Sequence, residues 1–269
     1  MNVRAAHAQL LQEAGRRFGV DAREAVPLAG GSRNHVYRVG RPPQALVVRI
    51  AGEGDASLGV SRESELASQR AAAGEGLAPR VLWSSPGGRV IAEEWVRGRP
   101  WTREQATDPG SLRRIAQWMQ RLHAVPPPRG LRRVDFLESF EHYLALVDAA
   151  KAPPALVAEA RRCRAELGEP ARAVLCHHDL HHANILDDGG RLTVVDWEYA
   201  GLGDSIMDLA GFAAYHALDE PASRGLVGAY GASAAIGTER LACARRLFEL
   251  VAVLWGEAAA LCGAIKKQS

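Results

Sequence analysis

Hydrophobic spacing divides the chain into a strand-rich beginning and a helix-rich remainder. Apolar residues recur at helical intervals from Val3 to Phe18, and Gly19 is a typical helix stop. A second helix is expected over residues 61–73, with Ser61 as its N-cap. Short apolar runs bounded by Gly, Pro and Ser predict five strands, at residues 25–28, 36–39, 45–50, 81–83 and 89–95. Residues 1–95 are therefore predicted to form a lobe built on a small antiparallel sheet.

The pattern becomes mostly helical after a hinge-like segment at residues 96–100. Helices are expected at residues 109–123, 136–149, 154–167, 205–218, 221–230 and 238–265. Among them, apolar runs at residues 173–176, 184–186 and 192–195 predict a strand, a loop and a hairpin with an Asp/Gly turn. A strand-rich part followed by a helix-rich part indicates an α+β chain of two lobes, the second being a helical C-terminal lobe at residues 96–269.

The predicted loop and hairpin carry the most specific chemistry in the chain. His177, Asp179 and Asn184 fit the kinase pattern H-x-D-x-x-x-x-N, and Asp196 follows at the end of the returning strand. Phosphoryl transfer needs a carboxylate that accepts the proton of the acceptor hydroxyl, and an amide and a second carboxylate that hold magnesium on ATP. The sequence therefore predicts Asp179 as the catalytic base, and Asn184 and Asp196 as Mg²⁺ ligands.

Several residues of the first lobe are candidates for binding ATP. Arg49 lies on the third strand, where the kinase pattern places a phosphate-binding cation, and Glu65 on the following helix could orient it. An Arg at a strand edge facing water is the alternative for Arg49. A connection between lobes is also a natural place for an adenine base. The remaining candidates are a Gly-rich turn, Gly30, Gly31, Ser32, Arg33 and Asn34, which could equally be a hairpin turn without a ligand, and the hinge residues Glu94, Trp95 and Val96.

A second interpretation of the loop is a metal centre. His177, His178, His181 and His182 lie within six residues, next to Cys176, and imidazole is a common zinc or iron ligand. A metal hydrolase would need further ligands from distant strands. The other histidines lie mostly in predicted helices, so the phosphoryl-transfer interpretation is preferred.

Composition narrows the classes of partner. The net charge of the 269 residues is only +2 and the Arg residues are scattered, so nucleic acid is not an expected partner. The four cysteines show no C-x-x-C spacing and no secretory leader precedes them, which favours reduced thiols in a cytoplasmic protein. No membrane association is expected, because the longest apolar stretch, residues 247–265, contains Glu249 and Glu257.

The motifs resemble the aminoglycoside phosphotransferase and choline kinase superfamily. The string D-W-E-Y-A-G at residues 196–201, together with Arg49 in V-R-I, is most similar to the choline kinase and thiamine kinase branch. This resemblance implies a protein-kinase-like fold and a Mg²⁺-dependent transfer of the γ-phosphoryl group of ATP to an alcohol. The implied acceptor is small and cationic, such as choline, ethanolamine or thiamine. The alternatives are an aminoglycoside acceptor or a nucleotide-binding protein without catalysis.

Charge and aromatic content near the predicted site agree with a cationic acceptor. Residues 177–269 contain twelve Asp and Glu against seven Lys and Arg, and an acidic cleft attracts cations. Aromatic faces bind quaternary ammonium groups and thiazolium rings. Tyr215 and Tyr230 are expected to be packing residues, and Trp255 could be a core residue. The residues predicted to bind the acceptor are Trp197, Glu198, Tyr199 and Trp255.

Overall fold

The first part of the chain is an antiparallel sheet. The computed structural model describes residues 3–28, 34–52, 56–147, 153–170, 172–231 and 236–263. The strands of the sheet are β1 (Val26–Pro27), β2 (His35–Val39), β3 (Leu46–Ile50), β4 (Val81–Ser84) and β5 (Val90–Glu94). They lie in the order β1-β2-β3-β5-β4, and all of the pairings are antiparallel. All five predicted strands are confirmed, with ends that differ by at most one residue.

Two helices pack on this sheet. Helix α1 (Val3–Phe18) buries Leu11 and Ala14 against apolar residues of β2, β3 and β5. Helix α2 (Arg62–Gly74) begins at the predicted N-cap, because the Ser61 hydroxyl accepts a hydrogen bond from the backbone N–H of Ser64 at 3.3 Å. The first turn of α2 thereby places Glu65 beside β3.

The second part of the chain is mainly helical and contains the larger core. Its helices are α3 (Arg103–Thr107), α4 (Pro109–Ala124), α5 (Phe136–Val147), α6 (Pro154–Leu167), α7 (Ser205–Tyr215), α8 (Glu220–Ala229) and α9 (Thr238–Leu261). Helix α9 packs against α5, α6 and α7. The predicted α+β chain, an antiparallel sheet followed by a helical part, is thus confirmed.

Short strand pairs hold the predicted loop against the helices. Strand β7 (Val174–Cys176) leads into the loop and pairs with β10 (Gly201–Gly203). After the loop, β8 (Ile185–Asp187) and β9 (Leu192–Val194) form the predicted hairpin, and β6 (Arg99–Pro100) pairs with β8. Arg99 and Pro100, at the end of the predicted hinge segment, are therefore held in a sheet. Strand β10 and helix α3 were not predicted.

The structure shows the state of the cysteines and the apolar character of the helices. Cys163, Cys176, Cys243 and Cys262 are all free thiols. Within the described parts of the chain, none of the helices combines the length and the apolar character that crossing a bilayer requires. The lobe boundary at residues 95 and 96 remains a prediction.

Candidate active site

Hydrogen bonds fix Asp179 on the loop after β7. The Asn184 side-chain amide donates to the Asp179 carbonyl at 3.0 Å and to its Oδ2 at 3.1 Å. The Tyr215 hydroxyl donates to the other carboxylate oxygen, Oδ1, at 2.6 Å. Burial raises the pKa of Asp179, and nearby His181 and the Tyr215 hydrogen bond oppose that rise. The carboxylate is therefore oriented from both sides.

His177 is a neutral brace of the same loop. Its Nδ1 accepts a hydrogen bond from the Asp179 backbone N–H at 3.2 Å, so the ring proton is on Nε2, which donates to the Val195 carbonyl at 3.2 Å. Burial lowers the pKa of His177 to about 4, which agrees with a neutral ring. These two contacts tie the start of the loop to the end of the returning strand.

Asp208 on α7 anchors the beginning of the loop. Its Oδ2 accepts from the backbone N–H of His177 at 3.0 Å and from His123 Nε2 at 3.0 Å, and its Oδ1 accepts from the backbone N–H of His178 at 2.7 Å. Burial alone would raise the pKa of Asp208, but these hydrogen bonds hold it well below its usual range. They also offset the cost of the left-handed backbone of His178, whose φ is 65°.

Asp196 differs from Asp179 in having an unused oxygen. Its backbone is left-handed, with φ of 64°, and its Oδ1 is buried without a hydrogen-bond partner. Burial, followed by the neighbouring charge of Glu198, raises the pKa of Asp196 well above its ordinary value. A buried, unpaired carboxylate oxygen fits a divalent cation, which would supply the missing charge. The Asn184 side chain donates its amide N–H groups to Asp179, so the amide oxygen of Asn184 is the atom that could bind the same cation.

The sheet contributes a buried cation. Arg49 on β3 is only 7% exposed and forms an ion pair with Glu65 on α2. The pair forms through Nη2, whereas Nη1 is buried without a hydrogen-bond partner. A guanidinium with one unused donor is suited to a phosphate oxygen. Arg49 does not face water at a strand edge, so that alternative was wrong.

Asn34, Arg62 and Glu198 connect the sheet to the loop region. Asn34 donates through Nδ2 to Glu198 Oε2 at 2.9 Å and accepts from Arg62 Nη2 at 3.0 Å. Arg62 also binds Glu65 at 2.6 Å and lies 3.7 Å from Glu198. Both ends of the Asn34 side-chain amide thus bind protein groups, and a contact of the turn with nucleotide remains a prediction.

The predicted hinge contacts are only partly open to a ligand. The Glu94 carboxylate binds Arg80, and the Glu94 backbone N–H donates to the Arg80 carbonyl at 3.0 Å, so neither of these groups is available to an adenine base. The Arg38 guanidinium lies 5.9 Å from the Trp95 ring centre. Val96 follows as a half-buried residue. The predicted turn residues Gly30, Gly31, Ser32 and Arg33 lie outside the described residues.

A cavity of about 580 Å³ opens next to the loop. Asp179 and Asp196 both line it, so two of the three residues predicted to act together border one space. Five carboxylates line the cavity against two guanidinium groups: Asp135, Glu138, Asp179, Asp196 and Glu198 against Arg132 and Arg133. Its aromatic wall consists of Phe136, Tyr143, Tyr199, Tyr215, Phe248 and Trp255.

The residues predicted to bind the acceptor have different positions. Tyr199 and Trp255 lie in the cavity wall, where the Trp255 indole N–H donates to the Tyr199 hydroxyl at 2.6 Å. Glu198 also lines the cavity. Trp197 does not, because it is 1% exposed, donates to the Val194 carbonyl and packs between Trp118 and His177. Trp197 is therefore a core residue, and its predicted contact with the acceptor is corrected.

Sequence reasoning missed Tyr215 and Arg132. Tyr215 was expected to be a packing residue, yet it binds the Asp179 carboxylate. Arg132 lines the cavity, bonds the Gly59 carbonyl and donates to the Tyr199 carbonyl at 3.3 Å. Neither residue belongs to a recognisable motif, and only the local excess of aromatic residues pointed to this region.

The loop histidines do not form the metal centre of the alternative interpretation. Among the residues that the structure describes, the one group with metal-binding spacing is His123, Cys176 and Asp208. Asp208 already accepts hydrogen bonds from His123 and from two loop amides. His182 instead donates its backbone N–H to His216 Nε2 at 3.1 Å.

The chain is similar in sequence to known phosphotransferases. Residues 24–243 match the phosphotransferase enzyme family, abbreviated APH. Thiamine kinase of Salmonella paratyphi B is 31% identical to the chain over 167 residues, which are 61% of this chain and 56% of that protein. The match thus spans little more than half of the length of these curated relatives.

Two solved structures share the fold over nearly the whole chain. A choline/ethanolamine kinase family protein from Mesorhizobium loti has a TM-score of 0.74 and 26% identity, and the match covers 93% of this chain and 86% of that one. Choline kinase LicA from Streptococcus pneumoniae has a TM-score of 0.80 at 19% identity, with coverage of 96% and 92%. The expected kinase-like, two-lobed fold is confirmed.

Proposed function

Because the chain belongs to the phosphotransferase enzyme family, we propose that it transfers the γ-phosphoryl group of ATP, with Mg²⁺, to the hydroxyl of a small cationic alcohol. The observation that carries this proposal is that Asp179 and Asp196 line one acidic cavity with an aromatic wall. A volume of about 580 Å³ lies within the range of about 300–1,000 Å³ that is typical of small-molecule sites.

The proposed reaction uses each polar group for one task. Asp179 accepts the proton of the acceptor hydroxyl as that oxygen bonds to the γ-phosphorus, while the bond from this phosphorus to the β–γ bridging oxygen breaks and ADP leaves. Arg49, held by Glu65, offers its unused Nη1 to a phosphate oxygen. Magnesium, when bound by Asn184 and Asp196, would neutralise charge on the triphosphate. Most of the rate enhancement in such a site comes from positioning and electrostatics.

The cavity favours an acceptor that carries a positive charge. Its carboxylates outnumber its guanidinium groups, and the aromatic faces of Tyr199 and Trp255 can contact a quaternary ammonium or a thiazolium ring. Thiamine is the first acceptor to test, because curated relatives are thiamine kinases. Choline and ethanolamine follow, since the structural relatives include kinases named for them.

A panel of alcohols tests the proposal directly. Purified protein is incubated with ATP, with or without Mg²⁺, and with thiamine, choline, ethanolamine or an aminoglycoside, and ADP release and phosphorylated product are measured. We expect Mg²⁺-dependent product with at least one cationic alcohol. ATP binding without any product would favour a silent nucleotide-binding protein, and product with the aminoglycoside alone would refute the small-acceptor assignment.

A further inference from the structure

Tyr215 contacts the carboxylate that is proposed as the catalytic base. Its hydroxyl donates to Asp179 Oδ1 at 2.6 Å, and its ring packs edge-on against Phe248 and His181, with ring centres 5.2 Å and 5.5 Å apart. Asp179 also forms hydrogen bonds with His177 and Asn184, and both of these residues belong to the loop itself. Tyr215 is instead the last residue of α7.

Helix α7 therefore contacts the loop at two points. Asp208 and Tyr215 are seven residues apart, which is about two helical turns, so both side chains lie on the same helix face. Asp208 fixes the backbone of His177 and His178, and Tyr215 fixes the carboxylate of Asp179. One rigid helix thus sets both the path of the loop and the orientation of its carboxylate.

We propose that Tyr215 is a positioning residue, which holds Asp179 in the orientation that accepts the proton of the acceptor alcohol. This inference rests on the proposed function. A carboxylate offers about four lone-pair positions. Tyr215 and Asn184 occupy one each, on different oxygens, so a lone pair remains available for the alcohol while the carboxylate cannot rotate.

Tyr215 is suited to this role because it keeps its own proton. Burial and the adjacent Asp179 charge raise the pKa of Tyr215 well above its ordinary value, so its hydroxyl remains a donor at neutral pH. Tyr215 also lines the cavity, which makes direct contact with the acceptor the competing explanation. The experiment below separates the two.

Tyr215→Phe removes one oxygen and leaves the ring packing in place. We expect kcat to fall about 10- to 100-fold, the effect of misplacing a catalytic group by up to about 1 Å, while KM for ATP and for the acceptor stays within about 2-fold. Circular dichroism and the melting temperature check that the variant is folded. A change in the acceptor KM alone would overturn the proposal, because it would indicate substrate binding.

A double-mutant cycle with Asp179→Asn tests whether Tyr215 acts through Asp179. Single-turnover rates with labelled ATP should show no further loss when Tyr215→Phe is added to Asp179→Asn, since the group to be positioned is already inactive. Losses that multiply would overturn the inference. Tyr199→Phe is the matched comparison, because it deletes the same atom in the same cavity wall, and it should change the acceptor KM instead.

The same data distinguish two kinds of failure. If the wild-type protein phosphorylates no alcohol in the panel, the proposed function fails and the inference fails with it. If the wild-type protein is active and Tyr215→Phe has the same kcat, the proposed function stands and Tyr215 is only a packing residue.

Discussion

Two half-buried carboxylates of the site differ in how their oxygens are used. Both oxygens of Asp179 accept hydrogen bonds from protein groups, whereas Oδ1 of Asp196 has no partner. A carboxylate held on both sides suits a directed proton transfer, and a buried oxygen without a donor suits a cation. Neutralising Asp179 should therefore affect the chemical step, and neutralising Asp196 should affect metal binding.

Neutralising each carboxylate separately tests this division of roles. Asp179→Asn should lower turnover about 10²- to 10⁴-fold and keep Mg²⁺-dependent ATP binding, because only the base is removed. Asp196→Asn should lose the Mg²⁺ dependence of ATP binding, as measured by calorimetry with and without the metal. Asp188→Asn, in the exposed hairpin turn, is the control for a general effect of charge. Equal ATP affinity of wild type and Asp196→Asn in Mg²⁺ would contradict the metal assignment.

A buried histidine makes the stability of the fold sensitive to acid. Burial lowers the pKa of His216 to about 4, from about 6.5 in an unfolded chain. Below about pH 6.5 His216 is protonated in the unfolded chain but stays neutral in the native state. Its contribution to stability is therefore complete above that pH and is lost as the pH falls toward 4. The loss over this window is about 3 kcal/mol.

Urea unfolding at several pH values between about 7.5 and 4.5 measures this loss. The free energy of unfolding of wild type should fall more steeply with acid than that of His216→Gln, by about 1.4 kcal/mol per pH unit within the window. The other titrating groups are shared, so the difference between the two curves isolates His216. Parallel curves would show that His216 is not held neutral.

The residues of the site were predictable only where a motif fixed their spacing. Asp179, Asn184 and Asp196 could be proposed as one site because the phosphoryl-transfer pattern specifies residue types along the chain. Trp197 was assigned to the acceptor because aromatic character alone does not tell which side of a strand end a ring faces. Tyr215 was missed because α7 is buried at every position from Ile206 to Ala213, so no polar stripe marks the face that contacts the loop.

At the scale of elements, the long periodic segments were predictable and the short pairings were not. Helices α1 and α6 have the predicted ends, and the hairpin of β8 and β9 lies where its Asp/Gly turn indicated. Strand β10 and strand β6 escaped prediction because two or three residues carry no periodicity. Their pairing depends on partners 86 or more residues away for β6 and 25 or more for β10.

Helix α7 allows a matched comparison of two of its own carboxylates. The Asp208 carboxylate accepts hydrogen bonds from three donors, and Asp208→Asn replaces one of its oxygens with an NH₂ group that cannot accept them. We expect the free energy of unfolding to fall by about 3–5 kcal/mol and turnover to be lost. Asp204 is the N-cap of the same helix and pairs with Arg240. Asp204→Asn should cost no more than about 1 kcal/mol, because Asn is an equally good N-cap.

Chemical denaturation and steady-state kinetics of the two variants check this comparison. The decisive quantity is the difference between them, because both remove one negative charge from α7. Similar stabilities of Asp208→Asn and Asp204→Asn would show that Asp208 does not anchor the loop.

For the whole molecule, packing continues across the predicted lobe boundary. Leu58, Ala72 and Leu77 precede that boundary but belong to the core of the helical part. The Ser64 hydroxyl on α2 also accepts a hydrogen bond from the backbone N–H of Arg132 at 2.9 Å. Helix α2 is thereby fixed on the helical part. Because α2 carries Glu65, which pairs with Arg49, the same contacts fix the position of the Arg49 side chain relative to the loop.

The charge of the cavity gives a prediction about the protein as a whole. Five carboxylates against two guanidinium groups should favour a cation over an uncharged molecule of the same shape. The cationic acceptor that the panel identifies is compared with its uncharged carbon analogue, for example choline with 3,3-dimethylbutan-1-ol. We expect kcat/KM to be about 2- to 30-fold higher for the cation, the range that an aromatic contact of about 0.5–2 kcal/mol provides.

Salt separates the electrostatic part of this preference from the part that shape provides. Raising the ionic strength from about 0.01 M to about 1 M shortens the screening length from about 30 Å to about 3 Å. The preference for the cation should therefore shrink with salt, because attraction toward the cavity from a distance is screened and contact with an aromatic face is not. Measuring both acceptors at saturating Mg-ATP cancels the effect of salt on nucleotide binding. A preference that is absent at low salt would show that the cavity selects its acceptor by shape, and the assignment of a cationic substrate would then be wrong.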